Sequence, residues 1–234
     1  MALVKADIAA LVRLGVPILC LDTCSILDVM RDPTRDSARA PDALAALHLL
    51  DKMEAGLDLI GLIADQVHLE FNAHVDPVQQ EAEHALKKLR DQLKRIDEIA
   101  IAFGAAANTN LLHLDAHVTR TRAVVNRWIA AAAAAKQSSD IASRALIRLN
   151  QARTPARKGK DSMKDCVVIE TYLEVIGQLR RSGLTSKVVF ISSNTKDYTG
   201  ETGSHLRQDL AGEFAALSIE YASNFSMARY LLAL

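Results

Sequence analysis

Four short apolar runs, each followed by a stretch with helical periodicity, constrain the fold more than any other feature of this 234-residue sequence. They occupy residues 18–21, 57–63, 188–192 and 217–221. Because strands that alternate with helices form parallel sheets, the pattern predicts an α/β fold with a central parallel sheet. Sites in such sheets form beyond the carboxyl ends of the strands. Functional side chains are therefore expected at Asp22, within residues 65–70, within residues 193–197 and at Asn224.

The long segment between the second and third runs has a different pattern. Apolar residues recur there at alternating spacings of four and three, which is typical of packed helices. One series is Ala82, Leu86, Leu89, Leu93, Ile96, Ala100 and Phe103, and the second is Val118, Val125, Trp128, Ala132 and Ala135. We expect a long antiparallel helical hairpin without strands, helix at the alanine-rich residues 130–135, and a return helix over residues 138–150. The predicted domains are a catalytic part (1–76 and 155–234) and an inserted helical hairpin (77–154).

A basic segment joins the return helix to the last part of the core. Residues 151–160 contain a proline, a glycine and four cations, which indicates an exposed loop. A helix is expected to start near Asp161 or Ser162, and its apolar residues cover so much of its circumference that it must be buried. Asp161 and Asp165 would then lie on one face of its first turn.

Carboxylates occur at the positions where this architecture predicts functional side chains. The four are Asp22 after the first run, Glu70 in the helix after the second, Asp165 at the start of the buried helix, and Asp197 after the third run. Asp22 by itself could equally be a helix cap. Several carboxylates at one edge would repel each other and raise their own pKa values unless a cation neutralised them. A divalent metal ion is the simplest cation for this purpose.

The type of ligand narrows the choice of metal. Carboxylate oxygens favour hard ions, and the seven histidines show no paired ligand spacing, so Mg²⁺ or Mn²⁺ is preferred to zinc. Two such ions about 4 Å apart can activate water and stabilise the leaving oxygen of a phosphodiester. The acidic set therefore points to a nuclease.

In its order of strand, acid, helix and late strand, the sequence resembles the PIN-domain nucleases, which include bacterial toxin ribonucleases and RNA-processing enzymes. Four motifs carry the resemblance. They match Asp22 with Thr23 and Ser25; Glu70; Asp165, with Asp161 as a second candidate; and Ser193, Asn194 and Asp197 before an aromatic residue. The sequence departs from the family at Cys24, where a small polar residue is common, and at Asn194, where an acid is often found.

The resemblance implies a Rossmann-like three-layer α/β/α fold and a metal-dependent endoribonuclease that uses Mg²⁺ or Mn²⁺. It implies catalytic roles for Asp22, Glu70, Asp165 and Asp197, metal binding by Asp22, Asp161, Asp165 and Asp197, and supporting roles for Thr23, Ser25, Ser193 and Asn194. The alternative is a PIN-like module that binds RNA or a protein partner without cutting, which Asn194 in place of an acid would favour. RNA is the expected substrate, and a cognate inhibitor protein, as in toxin–antitoxin pairs, and a homodimer are left open as partners.

The charge balance restricts where nucleic acid can bind. Because 28 basic residues offset 28 acidic ones, RNA contacts must come from a local basic patch. We expect phosphate binding by Arg157, Lys158, Lys160 and Lys164, although a flexible loop that merely balances the acidic residues would look the same. The hairpin would then act as a ruler or a dimer surface. The three cysteines lack zinc-site spacing, which favours reduced thiols in a cytoplasmic protein, and no apolar run is long enough for a membrane span.

Overall fold

A central parallel sheet organises the part of the chain that the computed structural model describes, which comprises residues 5–106, 109–157, 159, 161–200 and 205–234. Within these ranges its strands are β1 (Ile18–Leu21), β2 (Ile60–Ala64), β3 (Ala133–Ala135), β4 (Val188–Ile191) and β5 (Ile219–Ala222). They pair in parallel in the order β3-β2-β1-β4-β5. Every residue of β1 and β4 is buried, as expected for parallel strands covered by helices on both faces. The predicted three-layer α/β/α fold is confirmed.

Helices connect the strands and cover the sheet. They are α1 (Lys5–Leu14), α2 (Thr23–Asp28), α3 (Ala40–Ala55), α4 (Asp65–Ala102), α5 (His117–Ala131), α6 (Ser139–Asn150), α7 (Met163–Arg181), α8 (Thr195–Tyr198), α9 (Gln208–Ala216) and α10 (Phe225–Leu232). A 3₁₀ turn, Leu112–Leu114, precedes α5. Within the described ranges, no helix combines the length and hydropathy that crossing a membrane requires.

The strand order reverses at β1, and this reversal fixes where a site can form. The chain moves outward from β1 to β2 and β3, then returns to the other side of β1 as β4 and continues to β5. Because connections leave β1 and β4 in opposite directions, a crevice opens beyond their carboxyl ends. In the register of the two strands Leu21 pairs with Ile191, so the next residues, Asp22 and Ser192, face each other across this crevice.

The alanine-rich run contradicts the prediction that residues 77–154 lack a strand and that residues 130–135 are helical. Helix α5 ends at Ala131, and Ala133–Ala135 pairs in parallel with β2 as an edge strand. Alanine has a high helix propensity, but pairing with β2 satisfies the backbone and buries Ala135 completely. Ala132 and Ala135 therefore do not continue the second helical series.

The predicted antiparallel hairpin is present as α4 and α5. Contacts between Asp97 and Thr109 near the tip, and between Asp76 and Arg122 near the base, show that the chain folds back along α4. The base of the first apolar series is buried, but the tip is not: Ile96 is 55% exposed and Phe103 is 87% exposed. The expectation that this apolar series is packed along its whole length is therefore wrong at the tip of the hairpin. The domain division at residues 77–154 stays a prediction, and β3 ties this segment to the sheet.

Helix α6 agrees with the predicted return helix, whereas α7 begins later in the sequence than predicted. Helix α6 begins after Ser138, whose hydroxyl accepts a hydrogen bond from Ile141 N, as the predicted return helix requires. Helix α7 is largely buried, as predicted, but it starts at Met163. Asp161 therefore precedes the helix, and the expectation that Asp161 and Asp165 share its first turn is wrong.

Candidate active site

Asp22 lies where β1 ends, and it has two structural tasks at once. Its Oδ1 accepts a hydrogen bond of 2.8 Å from Thr23 N, which makes it the N-cap of α2. Its Oδ2 accepts hydrogen bonds from Ser192 Oγ at 2.6 Å and from Cys24 Sγ at 3.2 Å. The capping role that the sequence left open is thus real. The cap occupies one oxygen, while the second faces the crevice between β1 and β4.

Burial makes the charge on Asp22 costly. The residue is only 5% exposed, and loss of hydration raises the pKa of its carboxyl group. Hydrogen bonds from Ser192, Cys24 and Thr23 oppose this rise, and the negative charge of Glu70 adds to it. A neighbouring cation would remove the penalty, so the group is suited to binding one.

Glu70 is tied to the end of β1 through Thr23. Thr23 Oγ1 donates a hydrogen bond of 3.1 Å to Glu70 Oε2, and Gln66 Nε2 donates one of 3.0 Å to Oε1. Glu70 lies in the second turn of α4, which begins directly at the end of β2. Two adjacent strand ends therefore bring Asp22 and Glu70 together, with Thr23 between them.

Asp165 is brought to the same edge by the anchoring of α7. Tyr172 Oη donates a hydrogen bond to Leu21 O and accepts one from Ala64 N at 3.1 Å, which fixes α7 against β1 and β2. Asp165 precedes Tyr172 by seven residues, about two helical turns, so both lie on one face of α7. Because α7 runs towards the start of β4, its first turn lies beyond the carboxyl ends of the strands.

Asp197 lies in the short helix after β4 and is 2% exposed. Asn194 Nδ2 donates a hydrogen bond to Asp197 Oδ2. The guanidinium of Arg157 lies 3.3 Å from the other oxygen, Oδ1. A residue predicted to bind phosphate therefore contacts a predicted metal ligand, and its positive charge neutralises the buried carboxylate in this conformation.

The hydroxyl of Tyr198 is within electrostatic reach of three of the carboxylates. Burial raises its pKa well above the usual value, and the charges of Asp22, Asp165 and Asp197 raise it further. Among the described residues, Tyr198 Oη is a completely buried polar atom without a hydrogen-bond partner. Three of the predicted acids therefore act electrostatically on one buried hydroxyl that no described residue satisfies.

A buried ion-pair cluster anchors the basic loop beside the site. The side chain of Arg148 is 1% exposed and lies 2.7 Å from both Glu170 Oε1 and Glu213 Oε2. Its Nη1 donates a hydrogen bond of 2.6 Å to Thr154 O, three residues before Arg157. The loop that carries Arg157 therefore has a fixed base on α6, α7 and α9.

The remaining predicted residues are placed as follows. Ser25 Oγ accepts a hydrogen bond of 2.9 Å from Ser193 N, and Asn194 N donates one of 3.2 Å to Ser192 Oγ, so these small residues connect the ends of β1 and β4. Asp161 is exposed, and its Oδ1 accepts a hydrogen bond of 3.4 Å from Met163 N. Lys164 is exposed on α7. Lys158 and Lys160 lie outside the described residues.

Three contributors were not recognised from the sequence. Ser192 precedes the fourth motif and is not part of it, yet its hydroxyl donates a hydrogen bond to Asp22; the pairing of β1 with β4 could have indicated this. Tyr198 was recognised only as an aromatic residue within a motif. Tyr172, which positions Asp165, was counted among the apolar residues of a buried helix, and no local signal distinguishes it.

The comparison with protein families agrees with this geometry. A family model described as "PIN domain" matches residues 19–198, more than three quarters of the chain. The chain belongs to the PIN-domain family. No curated protein and no solved structure matches it significantly. PIN domains are usually nucleases that act on nucleic acids and generally use divalent metal ions.

The acidic side chains of the candidate site are of the chemical type that binds divalent ions. Their positions, however, do not form a closed ligand set. Asp22, Asp165 and Asp197 carry the hard carboxylate oxygens that ions such as Mg²⁺ prefer. Across the described ranges, however, there is no group of three or more His, Cys, Asp or Glu side chains close enough together to hold a metal ion. Metal binding would therefore require small side-chain movements, including separation of Asp197 from Arg157.

Proposed function

We propose that this PIN-domain protein is an endoribonuclease that depends on Mg²⁺ or Mn²⁺. The observation that carries the proposal is that Asp22 and Asp197 follow β1 and β4, whose ends are joined by the Ser192–Asp22 hydrogen bond, while the charges of Asp22, Asp165 and Asp197 all act on the buried Tyr198 hydroxyl. These three carboxylates would bind the ion. Asp161, the fourth expected ligand, is exposed and precedes α7, so it is less suited to bind the ion. A bound divalent ion would supply a water of lowered pKa and neutralise charge on the phosphate.

The protein side chains supply orientation and charge. Ser192 and Thr23 each donate a hydrogen bond to a carboxylate, Ser192 to Asp22 and Thr23 to Glu70, and this restricts the directions in which the acids point. Glu70 is half-buried and borders the site from α4, so it is suited to accept a proton from attacking water. Preorganisation of this kind reduces the reorganisation needed when RNA binds.

Arg157 links metal binding to substrate binding. Its guanidinium contacts Asp197, but it stands on an exposed loop and can reach a phosphate instead. With Asp197 bound to a divalent ion, Arg157 would be available for a phosphate next to the scissile bond. Lys164, one residue before Asp165, would bind a further phosphate.

The test is a cleavage assay on single-stranded and structured RNA with Mg²⁺, Mn²⁺ or EDTA, with the cleavage ends mapped. Wild-type protein should cut internally only with metal, and Asp22→Asn should be inactive. The matched control is Asp58→Asn, an exposed aspartate before β2 at the opposite edge of the sheet, which should retain full activity. Metal-dependent cutting by a verified Asp22→Asn sample would refute the residue assignment. Cutting of DNA but not RNA would refute the substrate.

A second candidate function has two observations in its favour. Arg157 already neutralises Asp197, and Asn194 stands where the family often has an acid, so the scaffold could bind RNA or a protein partner without cutting. Calorimetric titration separates the two functions, since absence of Mg²⁺ and Mn²⁺ binding would favour the binding module. A cytoplasmic location, a cognate inhibitor and a homodimer remain part of the proposal, each to be tested separately.

A further inference from the structure

Helix α4 carries a basic surface well away from the carboxylates. Residues 84–95 contain five Lys or Arg residues and a single acid, although the whole protein is neutral. Six side chains of this segment line a shallow depression on the solvent-facing side of α4: His84, Lys87, Lys88, Asp91, Gln92 and Arg95. We refer to these six residues as the basic face. Its positive charge is local, and the composition of the chain does not explain it.

The cations of the basic face have no ion-pair partners among the described residues, unlike two arginines that hold the hairpin together. Arg90 pairs with Asp115, and Arg122 pairs with Asp76, so both are used in holding the hairpin together. In contrast, Lys87, Lys88 and Arg95 form no ion pair with any described residue. Three unpaired cations on one exposed helix face leave a local positive charge that an anionic ligand can neutralise.

The basic face lies on the same side of α4 as Glu70, the candidate active-site residue of that helix. Glu70 lies near the start of α4, and Lys88 follows it by 18 residues, which is about five complete helical turns. Arg95 follows by 25 residues, about seven turns. The buried side of α4, marked by Val78 and Ala82, is directed elsewhere. A ligand that leaves the active site alongside Glu70 would therefore continue over the basic face.

We propose that the basic face of α4 binds the phosphate backbone of the nucleic-acid substrate at a distance from the cut. This inference rests on the proposed nuclease function. At about 1.5 Å per helical residue, Lys88 and Arg95 lie roughly 27 and 38 Å along α4 from Glu70. At about 3.4 Å per nucleotide of a stacked strand, the contacts fall roughly 8 to 11 nucleotides from the scissile phosphate. The hairpin thereby favours long, stacked substrates.

Two acidic residues near the basic face should weaken nucleic-acid binding. Removing their charge should therefore have the opposite effect on affinity from removing the cations. Asp91 lies within the basic face, and Glu81 lies between it and Glu70 on the same side of the helix. Both repel phosphate. Replacing Asp91 by Asn should therefore increase affinity for nucleic acid, while replacing the cations should decrease it.

The binding experiment uses the full chain with Asp22→Asn in the background and EDTA present, so that no cleavage occurs. Binding of a labelled 30-nucleotide RNA is measured by fluorescence anisotropy as a function of salt. Lys87→Ala, Lys88→Ala and Arg95→Ala together should weaken binding and flatten the salt dependence by up to about two units of slope. Alanine is compatible with an exposed helix, so the fold should be retained. The charge-matched control removes Arg13, Arg181 and Lys187, exposed cations at the amino-terminal edge of the sheet, and should change neither quantity.

The cleavage experiment tests whether the basic face binds the substrate far from the scissile phosphate. In otherwise wild-type enzyme the triple substitution should raise KM for the 30-nucleotide RNA without changing kcat, and should leave KM for a six-nucleotide RNA unchanged. An unchanged salt slope in the triple variant, an equal loss in the control, or lower affinity in Asp91→Asn would overturn the proposal. Failure of the nuclease function would look different: no variant would cleave, while the binding differences would persist.

Discussion

Replacing Asp22 by Asn should make the metal-free protein more stable, although it removes the central residue of the proposed site. Asn preserves the shape of the side chain and can still accept the hydrogen bond from Thr23 N, and the hydroxyl of Ser192 can turn to accept from the new amide. What disappears is a buried charge. Since hydrogen bonds partly offset the cost of burying that charge, the expected gain is about 1–3 kcal/mol. For a chain of this size, each kcal/mol raises Tm by about 2–4 °C.

The dependence on pH has a definite sign. Because folding raises the pKa of Asp22, the protonated carboxyl group contributes stability below the unfolded value of 3.8, and this contribution is lost as pH rises through the folded pKa. Asp209 provides the contrast. Burial opposes its ionisation, but hydrogen bonds from Thr154 N and Oγ1 outweigh burial and lower its pKa. Its contribution is present above 3.8 and is lost as pH falls through the folded value, so Asp209→Asn should destabilise the protein at neutral pH.

The assay is thermal unfolding of wild type, Asp22→Asn and Asp209→Asn at neutral pH, in EDTA and in excess Mg²⁺ or Mn²⁺. Metal at 100 times its Kd should stabilise wild type by about 2.7 kcal/mol, should do the same for Asp209→Asn, and should have little effect on Asp22→Asn. Asn caps helices as well as Asp does, so a role limited to capping predicts no change in EDTA. An unchanged or lower Tm for Asp22→Asn in EDTA would refute the argument from buried charge.

Three further predictions test the surroundings of the site. Arg157→Ala should increase metal affinity, because Asp197 loses its competing cation, and should weaken RNA binding; lower metal affinity by calorimetry would contradict this. Arg148→Met should cost about 3–5 kcal/mol in chemical denaturation, since it leaves buried carboxylates without their cation, and a loss below about 1 kcal/mol would mean that the ion pairs contribute little. Ser192→Ala should reduce metal affinity on the order of tenfold by releasing Asp22, and should lower Tm in EDTA because the buried carboxylate loses a hydrogen bond; unchanged affinity would show that Asp22 is held by other contacts.

The sequence predicts the core of the fold well because its signals there are both local and redundant. Each of the four apolar runs coincides with a strand to within a few residues, and parallel pairing follows from the helices between them. The rule that sites form at carboxyl ends of strands then selects Asp22 and Asp197 without any structural information. Strand β3 is not predicted because its signal is neither local nor redundant. Its three alanines have no strand propensity, and only pairing with β2, some 70 residues earlier, makes them a strand.

The partners of the acids, unlike their positions, depend on contacts between distant segments. Placing Asp197 after β4 requires only the strand, whereas its contact with Arg157 requires a loop whose base is held by Arg148 of α6, which pairs with acids of α7 and α9. A sequence that contains an acidic set and a basic loop cannot reveal whether the two bind a substrate or each other. The structure shows the second arrangement, in which Arg157 contacts Asp197. Asp22 and Asp197 would be among the ligands of a divalent ion, which would supply the neutralising charge in place of the guanidinium, and Arg157 would then be available for a phosphate. If so, metal and RNA should each strengthen the binding of the other, and both effects should shrink together when Arg157 is replaced.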